Sequence, residues 1–329
     1  MSEIEVMAGS RLHFGLLCAA QGKRWHYGGI GMMLDQPQWH IQIGFNQTSE
    51  ADNIDASDGV NVRISNIVNT YRRLHGRLPA ISVTAKNEAT MHAGLGAGTQ
   101  LTLAIASALQ ILERQTSRRS AANIAEDFGR SRRSAIGTYG FDHGGFIVDY
   151  GRSLPENEQI RRLRFPEEWR MVLMTPQASA GLFGETEESF FGKPDTLDDR
   201  VVQKLETIVE REISVGLDSI DFQLFREGLA AYGNLAGEFY ASAQGGIFSS
   251  PVLRTIARWL EKQNITGAVQ SSWGPTICIP TASEQDAEQL IETIKTHASA
   301  TSIDLRIARG MNVGATIKSN VDDNQRSFG

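Results

Sequence analysis

HAGLGAGTQLTLAIASAL, from His92 to Leu109, joins a loop with glycine at three alternate positions, Gly94, Gly96 and Gly98, to an apolar run without any break. A loop that only turns a corner needs one glycine or two, so three imply that something approaches the backbone closely. The segment AISVTAK (80–86) before it has strand character. Beyond it, Leu101, Ala104, Ile105, Ala108, Leu109 and Leu112 fall on one helical face, and Leu103 and Ile111 make the opposite face apolar too. A helix that is apolar nearly all round is a buried one. A glycine loop entering a helix offers unpaired N–H groups and the positive end of the helix dipole, and no Cβ keeps an anion away. The same residues also suit a tight strand-to-helix turn with close packing. Neither common phosphate fingerprint is present: no Gly-Lys-Ser/Thr closes the loop, and the spacing is not Gly-x-Gly-x-x-Gly.

Around this stretch the first half reads as strands and helices in alternation. EIEVMA (3–8) and RLHFGLL (11–17) are strand-like, and YGGIGMML (27–34) suggests extended pieces about a glycine turn. WHIQIGF places Trp39, Ile41, Ile43 and Phe45 on one strand face. VRISNIVNTYRRLHG (62–76) has Ile64, Ile67, Val68 and Leu74 at helical spacing and stops at Gly76. Ser120 is a candidate N-cap for a helix in SAANIAEDFGRS, and GGFIVDYG and RMVLMTP return to strand. In the second half, helices over 222–243, 249–264 and 283–298 alternate with antiparallel-looking strands, which suggests a small α/β sandwich. These patterns predict an N-terminal domain over 1–192, a second over 193–319 with its linker near Lys193–Asp199, and a frayed tail over 320–329.

The chain has 329 residues, 41% hydrophobic and 21% charged, with a net charge of -6. That balance argues against a nucleic-acid-binding surface. Cys18 and Cys278 lie far apart in apolar segments, as expected of buried thiols in a reducing compartment. No run reaches the roughly 18 apolar residues of a membrane span, and the acidic N-terminus does not resemble a signal peptide. The expected location is the cytoplasm.

GLGAGTQ after a strand and before a buried helix resembles the second motif of the GHMP kinase superfamily. SRLHFGLL (10–17), GLGAGTQLTLA (94–104), GTYGFDHGGFIVD (137–149) and SSWGPT (271–276) occur together in this order. As a set they resemble the β-ribofuranosylaminobenzene 5′-phosphate synthase family within that superfamily, over most of Ser10 to Ile317. The resemblance implies an α+β chain of GHMP-kinase type: a ribosomal-protein-S5-like α/β domain followed by a ferredoxin-like α/β sandwich. It implies condensation of phosphoribosyl pyrophosphate with an amino- or hydroxybenzoate, loss of carbon dioxide and pyrophosphate, use of Mg2+ or a similar cation, and a place in methanopterin synthesis. Small molecules are the expected partners, with a homodimer left open. Ala97 stands where the superfamily's kinases commonly have serine, and the first motif has Arg11 and His13 but no lysine. Both departures count against the alternative reading as an ATP-dependent small-molecule kinase. A third reading is a phosphoryl-ligand-binding protein without catalysis.

On this reading Gly94, Gly96 and Gly98, with the amides of Thr99 and Gln100, would take the pyrophosphate. The Thr99 hydroxyl would bind phosphate or metal, or cap the helix. Arg11 and His13 alternate onto one strand face as a candidate pair for a carboxylate or phosphate, with Ser10 beside them. Asp142 and His143, between glycines and ahead of a strand, are candidates for a metal or ribose ligand and for an acid–base or carboxylate contact; a turn-forming Asp is the plainer reading. Of Arg130, Arg132 and Arg133, Arg133 is the candidate for the ribose 5′-phosphate, against a solvated helix end. Ser271 and Ser272 would close the site, and Trp273 would stack on an aromatic acceptor, unless the segment is a hairpin with a packed Trp. Glu185, Glu187 and Glu188 form an acidic cluster that suits either Mg2+ or a helix start.

Overall fold

The computed structural model describes residues 3–17, 28–113, 119–130, 134–151, 159–177 and 198–319. Cys18, Arg132, Arg133, Glu185, Glu187, Glu188, most of the expected linker and the expected tail lie outside the described residues. In chain order the elements are β1 (Glu3–Leu16), β2 (Gly29–Phe45), β3 (Asn53–Asp55), α1 (Asp58–His75), β4 (Ile81–Asn87), α2 (Ala97–Leu112), α3 (Ala121–Asp127), α4 (Ile136–His143), β5 (Phe146–Asp149), β6 (Ile160–Leu163) and β7 (Arg170–Pro176). Then come α5 (Asp199–Ile208), a π-helical turn (Val209–Ile213), α6 (Ser214–Ser219), α7 (Phe222–Gln244), α8 (Pro251–Glu261), β8 (Val269–Gln270), β9 (Ile277–Thr281), α9 (Glu284–Lys295), β10 (Ile303–Arg309) and β11 (Thr316–Ser319).

The strand patterns at the N-terminus merge into two long antiparallel strands, β1 and β2, and Gly29 to Leu34 of YGGIGMML run within β2 without a turn. Their register shifts between Ala8 and Ser10, where 35–38 of β2 are extra. A shift in register changes which alternate residues face a core. Accordingly Trp39, Ile41 and Ile43 pack in one core beneath α1 and α2. Ile30, Met32 and Leu34 pack in a second core with Phe225, Leu229 and Tyr232 of α7. The first sheet has the order β11-β1-β2-β4-β3, and β2 also pairs with β5, which pairs with β6.

The second sheet is antiparallel, in the order β10-β7-β9-β8. One of its faces is covered by α8 and α9 through Leu253, Ile256, Leu260, Leu290 and Ile294. The other face, with Met171, Leu173 and Cys278, joins the core shared with α7 and the first sheet. Cys278 is a buried free thiol, and burial pushes its pKa up. These layers match the expected helix-on-sheet arrangement. The sheets do not part at residue 192, however. β7, a central strand of the second sheet, precedes that point, and β11 returns from the C-terminus to pair with β1. Pairing across more than a hundred residues decides membership of a sheet, and local composition carries no trace of it.

Local signals place several helices as expected. Ser120 Oγ accepts from Asn123 N at the start of α3, and Ser250 caps α8 ahead of Pro251. Thirteen residues of α2 are buried, which agrees with its all-round apolar pattern. Among the described residues no helix is long and apolar enough to cross a membrane.

Candidate functional site

The three glycines of the loop serve three different purposes. Gly94 has φ +79°, and a Cβ there would lie 2.6 Å from the Ser271 carbonyl oxygen and 2.7 Å from that of Gly274. It is glycine because the β8–β9 turn presses on its backbone. Gly96 has φ +72° as the N-cap of α2, and its missing Cβ would sit 2.5 Å from Arg11 Cγ. Gly98 has ordinary helical backbone, and its nearest neighbours would be Met91 Cε at 3.7 Å and Arg63 Nη1 at 3.8 Å. Only there does the absent side chain leave an approach open.

The first turn of α2 divides its own amides. Thr99 and Gln100 N–H donate to the Gly96 carbonyl at 3.0 and 3.1 Å, so neither is available to an anion. The Ala97 and Gly98 N–H groups, at the first two helical positions, have no partner within the helix. Trp39 Nε1 donates to the Ala97 carbonyl at 2.9 Å and pins this turn to the sheet. Gln100 is fully buried, and its Nε2 donates to the Gly137 carbonyl at 2.8 Å, tying α2 to α4. The expected role of the Thr99 and Gln100 amides is therefore corrected: both are spent within the turn, which leaves the Ala97 and Gly98 N–H groups as its candidates for an anion.

Beneath the turn the structure does assemble Arg11, His13 and Ser271. Arg11 N donates to the Leu95 carbonyl at 2.9 Å, and its side chain runs under Gly96 to the start of α4 beside Gly137. Ser271 Oγ accepts from His13 N at 3.1 Å and donates to the Gly94 carbonyl at 2.8 Å. It is wholly buried, so it acts as a clasp between β1, the glycine turn and the second sheet. Ser272, at φ +56°, donates its N–H to the His13 carbonyl at 2.6 Å. The His13 ring is buried, its Nε2 has no hydrogen-bond partner among the described residues, and burial first and the Arg11 charge second lower its pKa to about 3. His13 is thus a neutral imidazole at neutral pH, so in the expected Arg11–His13 pair for a carboxylate or phosphate the positive charge is that of Arg11. Trp273 is buried with its ring edge-on to Tyr240, centroids 4.5 Å apart.

Three other expectations change. Ser10 Oγ, fully buried, donates to the Pro37 carbonyl and steadies the irregular part of β2 rather than facing a ligand. Asp142 and His143 end helix α4 instead of lying in a loop. Asp142 Oδ2 accepts from Ala121 N at 2.8 Å, so this carboxylate stabilises the N-terminus of α3. His143 is exposed, with its ring 4.4 Å from that of Tyr139. The end of α4 abuts Val313 and Gly314, whereas its beginning, at Gly137, touches Arg11. The short helix holds the two motif ends apart, and Asp142 and His143 do not join the Arg11–His13 cluster.

On the Gly98 side lie two open cavities that the motifs did not announce. One, of about 320 Å³, is lined by Arg63, Asn66, Thr70 and Arg73 of α1, Gly98 and Thr102 of α2, and Arg130. A wider depression of about 890 Å³ shares Arg63 and Asn66 and extends to Ser57 and His92. The sequence does carry a signal for the first. Residues 63, 66, 70 and 73 recur at helical spacing as one polar stripe on α1, beside the apolar face that was read.

No family model matches the chain. It is 26% identical over 296 residues to a protein of Methanothermobacter thermautotrophicus named beta-ribofuranosylphenol 5'-phosphate synthase, covering 84% of this chain and 88% of that one. A protein of the same name from Archaeoglobus fulgidus is 34% identical over 200 residues, covering 56% and 60% of the two chains. Among solved structures, homoserine kinase from Cytophaga hutchinsonii superposes with a TM-score of 0.63 at 15% identity, covering 96% and 97%. A chain described as MDDEF, solved with MVAPP, AMPPCP and magnesium, superposes with a TM-score of 0.65 at 14% identity, covering 97% and 100%. These structural matches establish the fold. The chain is thus a sequence relative of the β-ribofuranosylphenol 5′-phosphate synthases, built on the GHMP kinase fold.

Proposed function

We propose that this protein condenses phosphoribosyl pyrophosphate with a para-substituted benzoate, releasing carbon dioxide and pyrophosphate, as an enzyme of methanopterin synthesis in the cytoplasm. The observation that carries this reading is the relationship to a named synthase over 296 residues, which covers 84% of this chain. The relatives' name speaks of a ribofuranosylphenol, which favours 4-hydroxybenzoate over 4-aminobenzoate as acceptor. Both substituents push electron density to the ring carbon that bears the carboxylate. That carbon forms the bond to C1 of the ribose while the C1–oxygen bond breaks and its electron pair leaves with pyrophosphate. The carboxylate then departs as carbon dioxide, and its bonding electrons restore the aromatic ring.

This chemistry asks for placement and charge rather than for a base. The ring loses carbon dioxide, not a proton, so nothing has to remove hydrogen at the reacting carbon. A neutral His13 is compatible with that. The Ala97 and Gly98 amides and the α2 dipole suit the leaving pyrophosphate, with Arg11 under Gly96 and Arg63 beside Gly98 supplying fixed positive charge. Neutral His13 and the packed indole of Trp273 would form an apolar wall that favours loss of the charged carboxylate as a neutral gas. Among the described residues no group of three His, Cys, Asp or Glu side chains could hold a metal ion. The expected Mg2+ would arrive on the donor's phosphates, a common manner of binding for this ion.

The test is to incubate the protein with phosphoribosyl pyrophosphate and carboxyl-labelled 4-hydroxybenzoate. Equal yields of labelled carbon dioxide and pyrophosphate are expected. ADP formed from ATP in the presence of a small alcohol, without carbon dioxide release, would replace this reading with the kinase one.

A further inference from the structure

The 320 Å³ cavity beside Gly98 holds three arginines from separated parts of the chain, Arg63 and Arg73 on α1 and Arg130 after α3. None of the three forms an ion pair among the described residues, whereas many surface arginines of this protein do, such as Arg72 with Asp52 at 2.6 Å. The one carboxylate lining the cavity, Asp127, is engaged by Arg119 and lies 3.8 Å from His75. Arg63 is oriented without being neutralised: its Nη2 donates at 2.9 Å to Nε2 of His92. Desolvation first and the Arg63 charge second hold the His92 pKa below its ordinary value, so the ring stays a neutral acceptor. Arg130 is likewise lowered, by desolvation and then by Arg63. Arginines gathered around one cavity, with no unengaged carboxylate among the described residues that line it, suit an anion that arrives from outside.

The cavity meets the glycine turn at Gly98, whose open Cβ position lies 3.8 Å from Arg63 Nη1. One ligand can therefore touch both the helix amides and the arginines. Resting on the reading above, we propose that Arg63, Arg73 and Arg130 form the subsite for the 5′-phosphate of the phosphoribosyl donor, with Arg63 bridging it to the pyrophosphate at the amides of Ala97 and Gly98. A donor with phosphate at both ends would then be gripped at each, which holds the ribose between them. Asn66, Thr70 and Thr102, also in the lining, supply the polar groups that a phosphate monoester or ribose hydroxyl can meet.

The experiment is calorimetric titration of ribose 5-phosphate, inorganic phosphate and pyrophosphate into wild type, Arg73→Gln and Arg130→Gln, without acceptor or turnover. Neither substitution breaks an ion pair among the described residues, and thermal unfolding checks that each variant is folded. Ribose 5-phosphate should bind the wild type more tightly than inorganic phosphate. It should lose roughly tenfold or more in each variant, the usual scale for a charged hydrogen bond. Pyrophosphate should stay within twofold in both variants, and Arg63→Gln should weaken both ligands. Absence of ribose 5-phosphate binding to the wild type, unchanged binding in both variants, or an equal loss for pyrophosphate would each overturn the assignment. Carbon dioxide release separates this from the functional reading. Normal release with an unchanged donor KM in both variants sinks the subsite alone. Arginine-dependent ribose 5-phosphate binding without any release sinks the reaction and leaves the subsite standing.

Discussion

The two sides of the glycine turn are opposite in character, although both are lined by basic residues. On the side of β1, Arg11, His13 and Ser271 are enclosed by Gly94, Gly96 and the β8–β9 turn, and the histidine is kept neutral by its burial. On the side of α1, Arg63, Arg73 and Arg130 border an open cavity and form no ion pair with a carboxylate among the described residues. One side has the features of a scaffold that fixes geometry, the other those of a surface that waits for an anion. A basic residue next to a glycine loop is therefore not evidence of ligand contact until its desolvation is known.

The largest effect should come from closing the enclosed side. Gly94→Ala puts a Cβ against two carbonyl oxygens under 3 Å away at a positive φ, and about 3 kcal/mol of stability should be lost. Chemical denaturation reads this, and a near-normal midpoint would show that the two sheets are not clamped at this point. Gly96 shares the problem through Arg11, so neither glycine separates ligand binding from packing.

Second comes pH. The folded-state pKa of His13 lies below its unfolded value of 6.5, at about 3. The unfolded chain therefore binds the extra proton first, and stability falls as pH drops from 6.5 toward 3. At pH 4.5 the loss should be about 2.7 kcal/mol, and His13→Gln should flatten the dependence in that window. Parallel pH profiles for the two proteins, measured by thermal unfolding, would mean that the ring is hydrated.

Gly98→Ala should sharpen the contrast by splitting stability from binding. Its backbone is helical and its surroundings are open, so folding should gain up to about 1 kcal/mol from helix propensity. The added methyl group should meanwhile raise the donor KM several-fold by crowding the Arg63 side, with little change in kcat. A donor KM equal to that of wild type would place the anion elsewhere.

The smallest effect is expected at the far end of α4. His143→Ala removes an exposed ring, and stability should stay within about 0.5 kcal/mol with carbon dioxide release unchanged. A large loss of turnover would return His143 to the site and undo its separation from Arg11.

The candidate site was legible where local rules govern it. The glycine loop, the buried helix after it and the strand carrying Arg11 and His13 are all readable as patterns of period and residue type. The Arg63–Asn66–Thr70–Arg73 stripe was present in the sequence too, yet a polar helix face usually meets water, so it pointed nowhere until Arg130 was placed opposite. Asp142 misled for a related reason. A carboxylate between glycines looks the same in sequence whether it holds a ligand or satisfies the N–H of Ala121 on another helix.

By itself the sequence determined the elements. The all-round apolar run made α2, Ser120 and Ser250 capped their helices, and alternation set the strand faces, because each depends on neighbours within one turn or one pleat. Its motifs also carried the likeness to the synthases. Only the tertiary structure decided which side of the glycine turn stays open, that His13 is neutral, that β7 and β11 belong to sheets distant in the chain, and that three arginines meet around one cavity. The reason is that charge, burial and accessibility are properties of what surrounds a group. Here those surroundings come from residues far along the chain: Ser271 for the turn, α7 for the shared core, and Arg130 for α1.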